Sequence, residues 1–412
     1  MKRIVFLMFL MITFMAVSVR GGDSPRFRGP NGDGKFNETG LLKEWPGGGP
    51  RLAWSVDRLG KGYSSAVAGS GIVYITGMDG AQQGRLFAFN PDGSLKWKTA
   101  YGPEVPKRGP APAGTRGTPT INGDKIFLMT GLMKLHTFDL ATGKLLRSVD
   151  LMERFSPEKA KFGFTECVLV DGRKVICTPG GPDASLVALD RNTGQTIWKT
   201  EGLSEPSGYC SARLINHKGK RLLITMVAQG VVAVDPDSGK VLWQYEHPHR
   251  AGVQPNPPLY EDGMVYICSG MGVGGEMLAI ADDGLSVTPK WADKTLDCQM
   301  HGFVVVDGYI YGAAQSANNG MVCLEFKTGK VMWSTKDIKK GAVIFADGML
   351  YVYSEDGVVH LIKANPKAFE HVSKFPISMG TNEHWAHPTI ANGRLYIRHG
   401  DALMAYDIKA EP

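Results

Sequence analysis

Of the 412 residues, 43% are apolar and 21% charged, so the chain can bury a substantial core and does not have the composition of a disordered polymer. The formal net charge is +6, and removing residues 1–22, which contain Lys2, Arg3 and Arg20, leaves 6 − 3 = +3. That excess is too small to argue for nucleic acid or for an anionic membrane surface as partner.

The chain begins with Lys2-Arg3, an apolar run from Ile4 to Val19 and then Arg20-Gly21-Gly22. This has the form of a secretory signal peptide over residues 1–22. The run is shorter than the ~20 residues a spanning helix needs, so no membrane span is expected after its removal. No cysteine near its end offers a lipid attachment point. A periplasmic or secreted protein is expected. Residues 23–50 carry no strand periodicity and read as an extended lead-in that wraps the domain surface. Arg51–Val56 (RLAWSV) then resembles the last strand of a unit whose beginning is missing.

From there the sequence repeats. Leu186–Trp198 (LVALDRNTGQTIW) recurs as Val232–Trp243 and Val322–Trp333, each with an acid eight residues before the tryptophan. Leu135–Arg147 keeps the pattern but ends in arginine, and Leu86–Trp97 and Met277–Trp291 are looser copies. An apolar strand, an acid that caps a glycine-bearing turn and a second β-rich run make each unit a hairpin with an aromatic on its outgoing strand. A short strand precedes every hairpin. Its markers Val73, Ile126, Val175, Leu223, Val265, Ile310, Leu350 and Leu395 are spaced 53, 49, 48, 42, 45, 40 and 45 residues apart. Four strands per forty-odd residues is the signature of propeller blades.

The expectation is an all-β, eight-bladed β-propeller of four-stranded antiparallel blades spanning residues 51–412. The last unit, Trp385–Asp407, stops after its third strand, and the orphan strand around Trp54 would complete it and close the ring. In blade seven the hairpin is degenerate and Phe375 stands in for the tryptophan. Ser156-Pro157-Glu158 reads as the cap and first turn of a short helix. Gly270–Gly275 matches G-x-G-x-x-G, but a strand follows it and not a helix, so it is a turn. Asp282-Asp283-Gly284 is likewise turn chemistry, and no metal site is expected. Among the six cysteines there is no C-x-x-C, while Cys167 and Cys210 occupy related places in successive blades and could pair.

Function has to be sought where the blades meet. The first strand of each blade lines a propeller's channel, so polar residues that precede it converge on one space. These positions supply Tyr63, Arg116, Glu166, Tyr209, Asn256, His301, His384, Trp385 and His387. They are the candidate ligand-binding set at the channel mouth, with no catalytic residue assigned. If Glu166 is ionised and two of the histidines titrate near their ordinary ~6.5, the mouth gains positive charge as pH falls. A bare, water-filled channel is the alternative.

The A-x-D-x-x-T-G-x-x-x-W repeat at Ala188–Trp198 and Ala233–Trp243, with pieces such as GYSSAVAGSGIVYI, resembles the PQQ-like (quinoprotein-type) β-propeller repeat proteins of bacteria. The resemblance covers residues 50–412. It implies interlocking blades with docked tryptophans and two classes of function. One is that of alcohol or sugar dehydrogenases holding pyrroloquinoline quinone over calcium, with a vicinal Cys-Cys disulfide. The other is that of a periplasmic assembly protein for outer-membrane barrels that carries no cofactor. No vicinal Cys-Cys and no C-x-x-C-H occurs here, so the cofactor stays unassigned. The reading is a monomeric propeller that binds a small molecule, glycan or periplasmic protein at its channel mouth. The alternatives are a quinone oxidoreductase and a carbohydrate-active enzyme.

Overall fold

The repeating hairpin forms because an acid satisfies the turn that reverses it. Asp190 Oδ1 accepts the N–H groups of Asn192 and Thr193, both at 2.9 Å, and Val187–Asp190 then pairs antiparallel with Thr196–Lys199. This register sets Ala188 opposite Trp198, so a small side chain leaves room for a large one. The same pairing sets Ala88 opposite Trp97, Ala233 opposite Trp243, Met277 opposite Trp291, Cys323 opposite Trp333 and Ala405 opposite Trp54, with a bulge beside each pair.

In the computed structural model, which describes residues 22–107, 112–315 and 319–411, the strands form eight sheets arranged as propeller blades. Blades one to seven span Val67–Pro103, Thr120–Asp150, Leu169–Lys199, Arg213–Glu246, Leu259–Asp293, Phe303–Thr335 and Gly341–Pro376. The eighth joins Thr389–Ala391, Arg394–His399 and Ala402–Asp407 to Leu52–Val56, which pairs with Ala402–Asp407 as the truncated units require. Arg398 staples this closure. Its guanidinium, 1% exposed, bonds Gly400 O, Ser64 Oγ, Thr76 O and Gly60 O, so blade eight is bonded to the chain that opens blade one.

The tryptophans lock blade to blade. Trp198 of blade three lies over Gly239 in the turn of blade four, and a Cβ built on that glycine would fall 2.5 Å from the ring. Gly239 has φ +76, so the turn geometry and the docked ring both demand glycine. Trp198 Nε1 also donates to Pro236 O at 3.1 Å. Trp97 on Gly143, Trp291 on Gly329 and Trp54 on Gly93 repeat the arrangement. Blade two, which has arginine at this place, covers Gly194 with the aliphatic stem of Arg147. In blade seven the bulge follows Leu361, so Ser373 and not Phe375 takes the tryptophan's place in the register, contrary to expectation. Phe375, opposite Val359 two residues further along, stacks edge-on against Trp45 at 4.8 Å.

Three further expectations about the fold need correction. The lead-in does not merely wrap the surface. Ser24 pairs with Ala68 in blade one, Pro25 O accepts from Ile121 N in blade two, and Lys35–Phe36 adds a parallel strand to the innermost strand of blade seven. Arg28 is buried and donates to Phe303 O at 2.5 Å in blade six. Residues 24–36 therefore cross the centre of the ring, and only from Gly40 onward does the segment run outward over blades seven and eight. The short helix is Leu151–Phe155, capped by Asp150, and Ser156 ends it in the left-handed conformation (φ 44) where the sequence suggested a start. All six cysteines, Cys167 and Cys210 included, are free and buried. The proposed signal segment 1–22 lies, apart from Gly22, outside the described residues.

Removing a docked ring should cost more than removing a ring at the mouth. Trp198→Ala is expected to lower the unfolding free energy by roughly 3–5 kcal/mol, as large buried aromatics do. Trp385→Ala, at a partly exposed position, should lose less than half as much in the same denaturant titration. Equal losses would show that Trp385 is a blade lock.

Candidate functional site

Side chains on the segment leading into each inner strand alternate between the channel and the seam between blades. Thr165 and Cys167 point to the channel, as do Trp385 and His387, Phe27 and Arg28 come up from the lead-in, and a cavity of about 340 Å³ results. Six of the nine expected residues line it: Tyr63, Arg116, Tyr209, Asn256, Trp385 and His387. Because the lead-in forms its floor, the cavity is a cup and not an open tunnel.

One wall is an aromatic pair. The Tyr63 and Trp385 rings lie 5.3 Å apart, tilted by 40°, and the Tyr63 hydroxyl donates to Glu383 Oε2 at 2.7 Å. Burial and this bond to a carboxylate push the Tyr63 hydroxyl well above its ordinary range. Across the cup Phe162 and Tyr209 form a second pair, 6.3 Å apart. Tyr209 holds φ +67, unusual for a residue with a Cβ, and its carbonyl accepts from Thr165 Oγ1 at 2.8 Å.

Arg116 rises between these walls, its guanidinium carbon 5.7 Å from the Tyr63 ring centre. Nη2 donates to Pro112 O at 2.6 Å, while Nε is buried without a hydrogen-bond partner. Burial lowers its pKa, and Tyr63 and Glu104 act weakly in the other direction. Among the described residues no carboxylate reaches ion-pair distance of it. On another side Lys340 and Glu355 pair at 3.1 Å. Burial alone would raise the Glu355 carboxyl, but His301 at 2.8 Å and Lys340 outweigh it and hold it below the usual range.

Two of the lining residues are committed to structure. Asn256 Nδ2 donates to the carbonyls of Cys298 and Gln299 at 2.6 and 3.1 Å and its Oδ1 accepts from Gly302 N, joining blade five to blade six. His387 accepts from Arg28 through Nδ1 at 3.1 Å and donates from Nε2 to Met300 O at 2.9 Å. Burial and the adjacent Arg28 lower its pKa to about 3, so it stays neutral where the sequence suggested titration.

Three expected residues lie outside the lining. Glu166, between Thr165 and Cys167, turns into the seam, where Oε2 accepts from Thr178 N at 2.8 Å and Oε1 finds no partner. Burial raises its pKa to about 7, so it is not the ionised group assumed at the mouth. His301 stands behind Glu355, and His384 stacks on His399 at 3.7 Å and bonds the Tyr353 hydroxyl. Sequence reasoning missed Phe27, Arg28, Phe162, Lys340 and Glu355. Lys340 occupies the same place before blade seven that Arg116 occupies before blade two, which is a readable signal; the others have none.

The same architecture and repeat occur in known proteins. The sequence pattern of the family described as outer membrane protein assembly factor BamB matches residues 82–335 and 291–374. The chain belongs to this BamB-type, PQQ-like repeat family. A curated relative, outer membrane protein assembly factor BamB of Burkholderia pseudomallei (strain K96243), is 26% identical over 162 residues, which is 38% of each chain. Among solved structures the propeller resembles BamB from Moraxella catarrhalis, with a TM-score of 0.61 at 17% identity over 87% of this chain and 99% of that one. It also resembles quinohemoprotein alcohol dehydrogenase from Comamonas testosteroni, at 0.66 and 14% over 96% and 82%. At such identities these two structures share a fold with the BamB-type chain, and no more.

The BamB-type cup does not fit a calcium-held quinone. Its lining has a single carboxylate, Glu355, already engaged by His301 and Lys340, and the amide of Asn256 is spent on carbonyls. No group of three metal-ligating side chains occurs among the described residues. None of the six free cysteines is adjacent to another.

The buried acid makes a measurable prediction. A carboxyl raised to about 7 in the fold but titrating near its ordinary 4.5 when unfolded stabilises the protein fully below pH 4.5. That contribution is lost as pH rises through 7. Glu166→Gln should therefore gain on the wild type between pH 5 and pH 8, by up to about 3 kcal/mol, in paired denaturant titrations. An unchanged difference at the two pH values would show that Glu166 keeps its ordinary pKa.

Proposed function

We propose that this chain is an extracytoplasmic binding propeller that holds its partner in the channel-mouth cup. The observation that carries this reading is Arg116: a partly buried guanidinium with an unbonded Nε, set between two aromatic walls above Phe27 and Arg28 of the lead-in. Leaving a buried donor unpaired costs free energy that a bound acceptor would restore. The form of residues 1–22 supports a periplasmic or secreted location. The family description, an outer membrane protein assembly factor, supports a binding role, and a protein partner stands beside a small molecule or glycan.

Neither enzymatic alternative finds support in the cup. A calcium-held quinone lacks its donor set. Glycoside hydrolysis calls for two carboxyls flanking one bond, and the lining has one, already ion-paired.

A thermal-shift screen of small acids, sugars and short peptides tests the reading. A hit should stabilise the wild type and lose its effect in Trp385→Ala and Arg116→Gln. Hits indifferent to both substitutions would move the site elsewhere. The same protein given pyrroloquinoline quinone and Ca²⁺ should reduce no dye with alcohols or sugars; chelator-sensitive reduction would restore the oxidoreductase.

A further inference from the structure

The charges lining the cup indicate the chemistry of its occupant, an inference that rests on the channel mouth being the binding site. The cations that line the cup are Arg28, Arg116 and Lys340, and they are not equivalent. Arg28 spends its guanidinium on Phe303 O, Val343 O, Asp33 O and His387 Nδ1. Lys340 is neutralised by Glu355. Arg116 has one carbonyl, and no acid bonds it directly among the described residues. Among the described lining residues Arg116 is thus the cation with a single carbonyl acceptor and no carboxylate at ion-pair distance, Glu104 and Glu383 acting on it only from further away, and it is held partly away from water.

Around that charge the lining alternates between flat apolar faces and hydrogen-bonding groups. Tyr63 and Trp385 offer ring faces on one side, and Phe162 and Tyr209 on the other. Between them lie the largely buried hydroxyls of Thr118 and Ser211, which accept from Ser65 N and Cys167 N and lie beside the Cys167 thiol. Gln299 adds an amide with no hydrogen bond to any described residue. A volume of about 340 Å³ is near the lower end of the ~300–1,000 Å³ that ligand pockets occupy, room for a ring or a short oligomer but not for a folded domain.

We propose that the cup binds an acidic sugar of the uronic-acid type, its carboxylate on Arg116 and the C–H face of its pyranose ring on the Tyr63–Trp385 pair. A carboxylate supplies the acceptors that Arg116 lacks, and charge-assisted bonds of this kind are the strong ones. A saturated ring presents C–H groups to an aromatic face while its hydroxyls reach sideways to Thr118, Ser211 and Gln299. A flat aromatic acid would offer those groups no hydroxyls. A peptide C-terminus would fill the charge but offers no ring of hydroxyls.

Calorimetric titration of the full chain with trigalacturonate, its methyl ester, maltotriose and an N-acetylated tripeptide with a free carboxylate tests this. Trigalacturonate should bind, and its ester should bind at least about tenfold more weakly, the loss expected when a charge-assisted pair is removed. Arg116→Gln should erase the difference between acid and ester, and Trp385→Ala should weaken both. The acid–ester comparison on the wild type needs no variant, so a folding defect cannot obscure it. Equal affinity for acid, ester and maltotriose would overturn the acidic-sugar proposal while the mouth reading stands, provided Trp385→Ala still weakens them. Binding of the tripeptide alone would likewise overturn the sugar and keep the mouth. If every probe fails, the proposal falls; if they bind with affinities unmoved by either substitution, the mouth reading falls with it.

Discussion

The architecture depends on one contact, an aromatic ring laid on a glycine in the next blade's turn. A blade is a small sheet that cannot bury both faces alone, so its stability comes from its neighbours. The contact works only because two demands coincide at one residue. The turn needs a positive φ, and the ring needs the space a side chain would fill: a Cβ added to Gly143 (φ +71) would lie 2.4 Å from the Trp97 ring. The spacing of acid, glycine and tryptophan in the sequence is the record of that coincidence. Where the ring is absent the structure substitutes for it: the stem of Arg147 covers Gly194, whose carbonyl is bonded by Arg154 from the adjoining helix.

A closed ring of eight blades leaves a hole, and the hole has to be dealt with. Here the lead-in fills it, with Arg28 and Phe36 buried at the centre and Trp45 packed against Phe375 at the seam of blades seven and eight. One segment thus closes the channel, adds a strand to blade seven and covers the seam where the tryptophan repeat fails. The cup exists because the channel is blocked on one side only. The floor residues Phe27 and Arg28 and the mouth residues share no repeat, so the site is formed between the one aperiodic segment and the eight periodic ones.

This division explains what could be read from the chain. Blade number and closure were legible because each is a repetition or a completion of a pattern that recurs every forty to fifty residues. The convergence of Tyr63, Arg116, Tyr209 and Trp385 was legible from topology alone. Glu166 and His384 were misplaced by neglect of the strand's period of two, since Thr165 and Cys167, or Trp385 and His387, claim the channel side and push the residue between or before them away. The lead-in's course was not legible, because nothing local marks a segment that is ordered only by the ring around it. Ser156 misled for a related reason: a Ser-Pro pair serves one helix end as readily as the other, and the preceding Asp150 had the better capping geometry.

The buried guanidiniums separate structure from function most clearly. Arg398 and Arg28 are as deeply placed as any side chain in the molecule, and burial lowers the pKa of each, to about 9 and about 10. Each nonetheless meets several backbone carbonyls, so its charge is solvated by the protein and acts as a staple between blades. Arg116 is treated differently: it sits in the cup with one carbonyl bond and an idle Nε. Arg28, at the bottom of the same cup, also keeps an unbonded Nε, but both of its Nη groups are spent on protein acceptors, whereas Arg116 has a single carbonyl. An acceptor arriving from outside would use the bonding capacity of Arg116 that the fold leaves open.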